Sequence, residues 1–252
     1  MIPALSRILC AVFILISGLS VNGFAAEPMK IVYFKDYPPL SWAQSNNKMQ
    51  GILIDIMNEA LKNRMHIDLS HQGRLWEEAQ LMVKNGQADA FVTVPTPERR
   101  SYTRISQESV INSNIKIFTG KNNPRIKELE KVHSYSELKP YKLVDYRGNG
   151  RAEAALKGLD VVWLATMDEI PEYLIQGKAD AWTQNIFVAG FFLKHLGDRD
   201  KIIELPNVLA GESFNLCIGR DSPFVRVLDL FDQTIKAMKK DGTLEKICST
   251  YR

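Results

Sequence analysis

Arg99, reached through Thr96-Pro97-Glu98, carries a group whose chemistry suits an anion. A planar guanidinium donates two parallel hydrogen bonds to a carboxylate, a match in shape as well as charge. Arg100 beside it fits the plainer role of a solvated surface cation. The run Arg147-Gly148-Asn149-Gly150-Arg151 is a second anion-suited feature. It reads as a tight turn opening a helix, whose first backbone N–H groups suit a carboxylate. Arg147 and Arg151 flank the turn, either as added positive charge for a ligand or as solvated surface. His66, His71, His133 and His195 show no metal-ligand spacing, and neither a metal nor another cofactor is expected. No nucleophile–base constellation is visible, and a lone acid such as Glu172 reads as helix surface.

The elements that would position these groups are written twice. Asn85-Gly86-Gln87-Ala88-Asp89-Ala90-Phe91 recurs as Gln176-Gly177-Lys178-Ala179-Asp180-Ala181-Trp182. Each copy follows an amphipathic run, 76–84 or 169–175, and puts glycine where a helix needs a left-handed stop. An Ala-Asp-Ala entry into a short apolar strand comes next. Two α/β units of one local design imply two similar lobes, and two lobes leave a cleft.

In the first half, 30–35 reads as a strand broken by Tyr37-Pro38-Pro39. Gly51 opens a helix with Leu53, Ile56, Met57, Ala60 and Leu61 on the 3.6-residue period. Strand 67–70, helix 76–85 and strand 89–94 follow. The second half repeats the rhythm: strand 141–145, a helix from Arg151, strand 161–164, a helix capped by Asp168 with Pro171 in its first turn, and an apolar-faced helix 185–195. The alternation argues for a mostly parallel sheet covered on both faces. Short extended segments at 117–120 and 214–219 are where the chain would cross between lobes and return. Pro223 starts a helix with Phe224, Leu228, Phe231, Ile235 and Met238 spaced 4, 3, 4, 3; Asp241-Gly242 ends it, and 243–249 is a last short helix. These helices follow the return crossing, so they belong on the first lobe. That lobe is discontinuous, 26–116 and 217–252, around a second lobe at 117–216.

Bulk properties agree with a secreted globular chain. The 252 residues, 45% hydrophobic and 24% charged, could hold one large domain or two small ones. Arg7, the apolar run 8–19 and Gly23-Phe24-Ala25 have the form of a secretory signal peptide over residues 1–25, and the run is short for an uncleaved anchor. Cys10 lies inside that run, so a lipoprotein cleavage box is not expected. Removing residues 1–25 deletes one arginine and no acid, taking the net charge from +3 to +2. Such a chain has no electrostatic footprint for nucleic acid. Cys217 and Cys248 remain, either as a disulfide that an oxidising compartment permits or as two buried thiols.

Tyr37-Pro38-Pro39-Leu40, Gly51-Ile52-Leu53-Ile54-Asp55-Ile56, the Gly86 turn, Thr96-Pro97-Glu98-Arg99, the Gly177 turn and Asp241-Gly242-Thr243-Leu244 occur in that order. With this ordered set the chain resembles the periplasmic solute-binding proteins of ABC transporters, specifically the polar amino acid-binding family (bacterial extracellular solute-binding protein family 3), over essentially the whole mature chain. The resemblance implies a monomer of the type II fold: two α/β lobes joined by two crossing hinge strands, closing on a small ligand by hinge motion. It further implies a periplasmic, non-enzymatic protein that delivers an amino acid or related carboxylate to an inner-membrane ABC permease.

The resemblance also suggests roles. Arg99 would fork onto the ligand's α-carboxylate. Tyr37 and Trp76 would wall the ligand, ordinary helix core being the alternative for Trp76, while Trp42 would pack its lobe. The loop from Asp89 to Arg99 is shorter than in better-known members, and its backbone donors would lie around Thr93 to Thr96. Gly150 stands where the family has a hydroxyl residue, so only backbone donation survives there. Asn185, five residues after Asp180, stands where the family carries an aspartate for the ligand's α-ammonium. It keeps an acceptor oxygen and drops the charge. Either another acid (Glu172, Glu212 or Asp145) compensates, or the ligand is not a simple α-amino acid. On the sequence alone, Asn185→Asp should raise affinity for α-amino acids. Phe34 stands where binders of basic amino acids have an acid, which disfavours lysine or arginine. Two other functions fit the same scaffold: a ligand-sensing input protein for a membrane kinase or chemoreceptor, and a cyclohexadienyl dehydratase-like enzyme, which would turn over prephenate or arogenate.

Overall fold

A computed structural model describes residues 27–196 and 200–251; the expected signal peptide lies outside them. The first half runs β1 (Met29–Phe34), a small antiparallel meander of β2 (Asp36–Tyr37), β3 (Ser41–Ala43) and β4 (Met49–Gln50), α1 (Ile52–Met57), β5 (Leu69–Arg74), α2 (Trp76–Lys84), β6 (Ala90–Thr93), α3 (Pro97–Tyr102), β7 (Thr103–Ile105) and the long β8 (Ile111–Gly120). Then come α4 (Ile126–Leu129), β9 (Leu143–Tyr146), α5 (Gly150–Ala155), β10 (Val161–Leu164), α6 (Ile170–Ile175), β11 (Trp182–Asn185) and α7 (Ile186–Leu196). The chain returns along β12 (Ile202–Gly219) and ends in α8 (Leu228–Lys240) and α9 (Thr243–Ser249).

Parallel pairing holds in the outer part of each half. β1 is flanked by β5 and β6, and β9 pairs with β10. The centre is antiparallel: β6 pairs with the C-terminal end of β12, the rest of β12 with β8, and β8 with β11. This mixed sheet departs from the mostly parallel one the alternation implies. The chain leaves the first lobe on β8 and comes back on β12, so the two must run in opposite directions. They are also much longer than the short segments the sequence suggests. Pairing extends from Ile202 opposite Gly120 to Phe214 opposite Ile111, with register shifts on both sides of Val208. Pro206 lies in the irregular stretch, and its break in alternation hides the strand.

The core is divided accordingly. Ile31, Tyr33, Ile52 and Ile56 pack with Phe231, Ile235, Met238 and Leu244, so the C-terminal helices share one core with β1 and α1. In the other lobe, Ile117, Leu138, Leu143 and Leu156 form one cluster, and Phe118, Val144, Ile170 and Trp182 another. Neighbours Ile117 and Phe118 serve different clusters because successive strand residues face opposite ways. Helix α7 touches both lobes: Phe187 joins the first-lobe cluster, and Phe191 lies 5.7 Å from Trp42 between ring centroids. Trp42 therefore packs between the lobes, with Tyr251 edge-on at 6.1 Å, rather than only inside its own.

The repeated phrase is repeated structure. Gly86 and Gly177 take φ of 70° and 66°, the left-handed region that glycine adopts without penalty. Gly86 N–H donates to the Val83 carbonyl and Gln87 N–H to that of Met82; Gly177 and Lys178 do the same to Leu174 and Tyr173. Both helices thus end in the same two-bond reversal. The aspartates then reach sideways. Asp89 accepts from Lys30 N–H at 2.8 Å, and Asp180 from Lys142 N–H at 2.9 Å. Each carboxylate ties its own strand entry to the start of the neighbouring one.

One local expectation changes, and one open alternative closes. Thr166, not Asp168, caps the segment leading into α6, exchanging hydrogen bonds with Glu169. Cys217 and Cys248 are both buried, sit in separate clusters and form no disulfide.

Candidate ligand-binding site

Arg99 lies in the first turn of α3, whose N-cap Thr96 accepts from the Arg99 N–H at 3.2 Å. Pro97 suits that start, because the amide it lacks would have no helical partner. The side chain folds back over α2 and β6. Its Nε donates to Gln80 Oε1 at 3.0 Å, and its Nη1 to the Val94 carbonyl at 2.7 Å and Thr93 Oγ1 at 3.5 Å. The guanidinium carbon sits 5.0 Å from the Trp76 ring centroid, a cation–π contact. Trp76 in turn meets Phe91 edge-on at 5.7 Å. Among the described residues no carboxylate pairs with Arg99, and its Nη2 has no partner. Burial lowers its pKa from the ordinary value, partly opposed by Tyr102, Cys217 and Glu98, yet an arginine stays charged. This is a half-buried, oriented cation with one edge open. Arg100 is exposed, as its plainer reading implies.

Trp76 thus acts first as the platform under Arg99. Gln80, one turn further along α2, was missed by sequence reasoning. Its signal is the four-residue step from Trp76, which puts both on one helix face, and its amide nitrogen reaches back to the Trp76 carbonyl at 3.4 Å. Thr93 is buried on β6 opposite Asn215 of β12, so the site abuts a crossing strand.

Tyr37 follows β1 with its ring 6.2 Å from that of Phe34. Burial raises the pKa of its hydroxyl, Glu212 adds to the rise, and Arg151 opposes it. Tyr37 belongs to the first lobe while Arg151 and Glu212 belong to the second lobe and a crossing strand, so these groups face one another.

In the second lobe, Asn149 caps α5, its Oδ1 accepting from Ala152 N–H at 3.3 Å. Gly150 is the first residue of that helix, and a Cβ there would meet no atom within 4 Å. Glycine at this place is not forced by crowding; it only withholds the side-chain donor. Arg151 is half-buried and engaged, Nη1 to the Tyr135 hydroxyl at 3.2 Å and Nη2 to the Thr183 carbonyl at 2.9 Å. Arg147 is exposed and matches the surface reading.

Asp145 closes β9 beneath this turn, fully buried. Its Oδ1 accepts from Asn149 Nδ2 at 3.0 Å and Tyr146 N–H at 2.8 Å, whereas Oδ2 has no partner. Burial pushes its pKa up to about 6, against the hydrogen bonds and Arg151. The folded form therefore holds the proton more tightly than the unfolded chain. The stability this gives is complete below the unfolded pKa of 3.8 and is lost as pH rises to about 6. Asp145→Asn should flatten that decline and leave the variant about 1–3 kcal/mol more stable than the wild type at pH 7 relative to pH 4. Thermal melts of both proteins across pH 4–7 check it; parallel curves would count against it.

Asn185 ends β11 and is fully buried with both ends of its amide engaged. Its Oδ1 accepts from Phe187 N–H at 3.0 Å, capping α7, and its Nδ2 donates to Glu212 Oε2 at 2.7 Å. Of the acids that could compensate for the missing aspartate, Glu172 is exposed and bonded to Gln176, and Asp145 is sealed under the turn. Glu212 alone of the three touches Asn185.

Two grooves of about 620 Å³ lie elsewhere, one including Lys84, Tyr102 and Arg220 and the other His71, Arg74 and Glu78; neither is lined by Arg99, Tyr37 or Arg151. Among the described residues no group of histidine, cysteine or acidic side chains could hold a metal, and no helix is long and apolar enough to cross a membrane. The two lobes and crossing strands have counterparts in solved structures, and residues 29–252 match the family described as bacterial extracellular solute-binding proteins, family 3. The chain belongs to that family. Among solute-binding relatives of known structure is an ancestral cationic amino acid solute binding protein, also described as a precursor of cyclohexadienyl dehydratase; it has a TM-score of 0.67, 21% identity, and coverage of 89% of this chain and 95% of that one. A histidine kinase sensor domain with similarity to periplasmic binding proteins gives 0.66 at 16% identity, covering 89% and 96%. The substrate binding protein of an amino acid ABC transporter gives 0.60 at 20% identity, covering 88% and 98%. No curated protein matches the chain.

Proposed function

We propose that this protein is the periplasmic, non-enzymatic binding component of an ABC importer, a monomer exported by its signal peptide. It captures an amino acid or related small carboxylate between lobe 26–116 with 217–252 and lobe 117–216. Closure about β8 and β12 brings Tyr37, Thr93 and Arg99 against the α5 turn with Gly150 and Arg151, and the closed form is what the inner-membrane permease meets. The observation that carries this reading is the guanidinium of Arg99, held by Gln80, Val94 and Trp76 with no carboxylate of its own among the described residues. A cation oriented at that cost in desolvation is suited to a carboxylate arriving from outside. The likeness to a histidine kinase sensor domain supports a second reading, the same capture read out by a membrane kinase.

The test is a thermal-shift screen of mature protein, unfolded and refolded to strip bound ligand, against amino acids, simple carboxylates, prephenate and arogenate. A ligand that binds only the native state raises the melting temperature. A selective rise with an amino acid or carboxylate is the expected result. Turnover of prephenate or arogenate would replace the transport reading with an enzymatic one, and silence with every compound would remove it.

A further inference from the structure

Three strands bring a set of acceptors to one face. Glu212 of β12 lies directly opposite Ser113 of β8, and Ile115 of β8 directly opposite Asn185 of β11. Opposed residues in antiparallel strands share a face, and so do residues two apart along a strand. Glu212, Ser113 and Asn185 therefore project to the same side, as the 2.7 Å bond from Asn185 Nδ2 to Glu212 Oε2 requires. That bond fixes the carboxylate and occupies one of its oxygens. The other, Oε1, makes no hydrogen bond with the described residues. Ser113 is 3% exposed, and its Oγ has no partner, which is costly for a buried hydroxyl unless something else meets it. Glu212 itself is only half-buried, so it can be reached. Its charge is felt at the hydroxyls of both Tyr37 and Tyr135.

We propose that Glu212, steered by Asn185 and joined by Ser113 Oγ, is the acceptor for a primary ammonium on the ligand. The acidic charge sits on β12, and Asn185 on β11 is the residue that aims it. An ammonium has three donors and no acceptor, and a carboxylate oxygen beside a hydroxyl lone pair matches two of them. This assignment rests on the carboxylate-capture reading and narrows it to zwitterions: Arg99 takes the carboxylate, Glu212 the amine.

Matched pairs that differ only at the α-substituent test it: L-alanine and L-lactate, L-glutamate and L-2-hydroxyglutarate, L-phenylalanine and L-phenyllactate. Each is titrated calorimetrically into wild type, Glu212→Gln and Ser113→Ala, with the melting temperature of each unliganded variant as the check on folding. In at least one pair the wild type should prefer the amine. Glu212→Gln should then weaken the amine about 10- to 100-fold and change the hydroxy acid by less than about 3-fold. Ser113→Ala, a smaller change, should weaken the amine alone by about 3- to 10-fold. Equal losses for both members of a pair, or an amine affinity untouched by both substitutions, would overturn the assignment. Wild-type protein that takes hydroxy acids and refuses amines would overturn it while leaving the carboxylate reading standing. Wild-type protein that binds neither member of any pair would overturn both.

Discussion

Replacing Arg99 by alanine is expected to weaken ligand binding by at least about 100-fold while the protein remains folded, since a charge-assisted bidentate bond contributes about 3 kcal/mol or more where water is excluded. The fold should tolerate the loss. Arg99 forms no ion pair among the described residues, and its bonds to Gln80 and the Val94 carbonyl lie at a half-buried edge where water can replace them. Removing it should cost the unliganded protein on the order of 1 kcal/mol. Arg99→Lys separates shape from charge. Lysine carries the positive charge and lacks the planar fork, and it cannot hold Gln80 Oε1 and the Val94 carbonyl while also presenting two parallel donors. Its affinity should therefore stay well below wild type. Calorimetric titration with the ligand found in the screen, beside melts of the unliganded variants, measures both quantities. An alanine variant that binds normally would remove Arg99 from the site; one that fails to fold would make it a structural residue.

How legible the molecule is in its sequence depends on how local each feature is. The turn of the seven-residue repeat was legible, because a left-handed glycine acts on its own backbone, with φ of 70° and 66°; the bonds from Asp89 and Asp180 to Lys30 and Lys142, 59 and 38 residues away, were not. The spacing of Phe231, Ile235 and Met238 likewise showed which face of α8 is buried. The crossing strands were poorly legible. Their length comes from pairing with each other at a separation of about a hundred residues, and Pro206 with its polar neighbours reads as loop. The site shows the same division. Arg99 announced itself through its own chemistry and its flanking motif. Gln80, Ser113 and the joint role of Asn185 and Glu212 did not, because each depends on which strand faces which.

Asn185→Asp is where sequence and structure predict opposite results, and the structure predicts a loss. By position alone the aspartate would supply the missing charge for an ammonium and improve binding. In the folded protein, Oδ1 of residue 185 would still cap α7, but the atom replacing Nδ2 would be an oxygen set 2.7 Å from Glu212 Oε2. A donated hydrogen bond becomes a contact between two carboxylates at a fully buried position. The lost bond and the like-charge repulsion together should cost about 2–4 kcal/mol. For a chain of this size that lowers the melting temperature by about 5–15 °C. Amino acid binding should weaken too, because Glu212 is pushed from the place where Asn185 holds it. The double variant with Glu212→Gln should recover most of the stability, since the glutamine amide can donate across the same gap to the carboxylate introduced on β11. It should also recover part of the amine affinity, the single negative charge having only changed strands. Melting curves of the two single variants and the double variant form a thermodynamic cycle whose coupling should be large and favourable to the double. A single Asn185→Asp variant as stable as wild type and tighter for amino acids would show that residue 185 faces the ligand directly, with Glu212 playing no part in holding it.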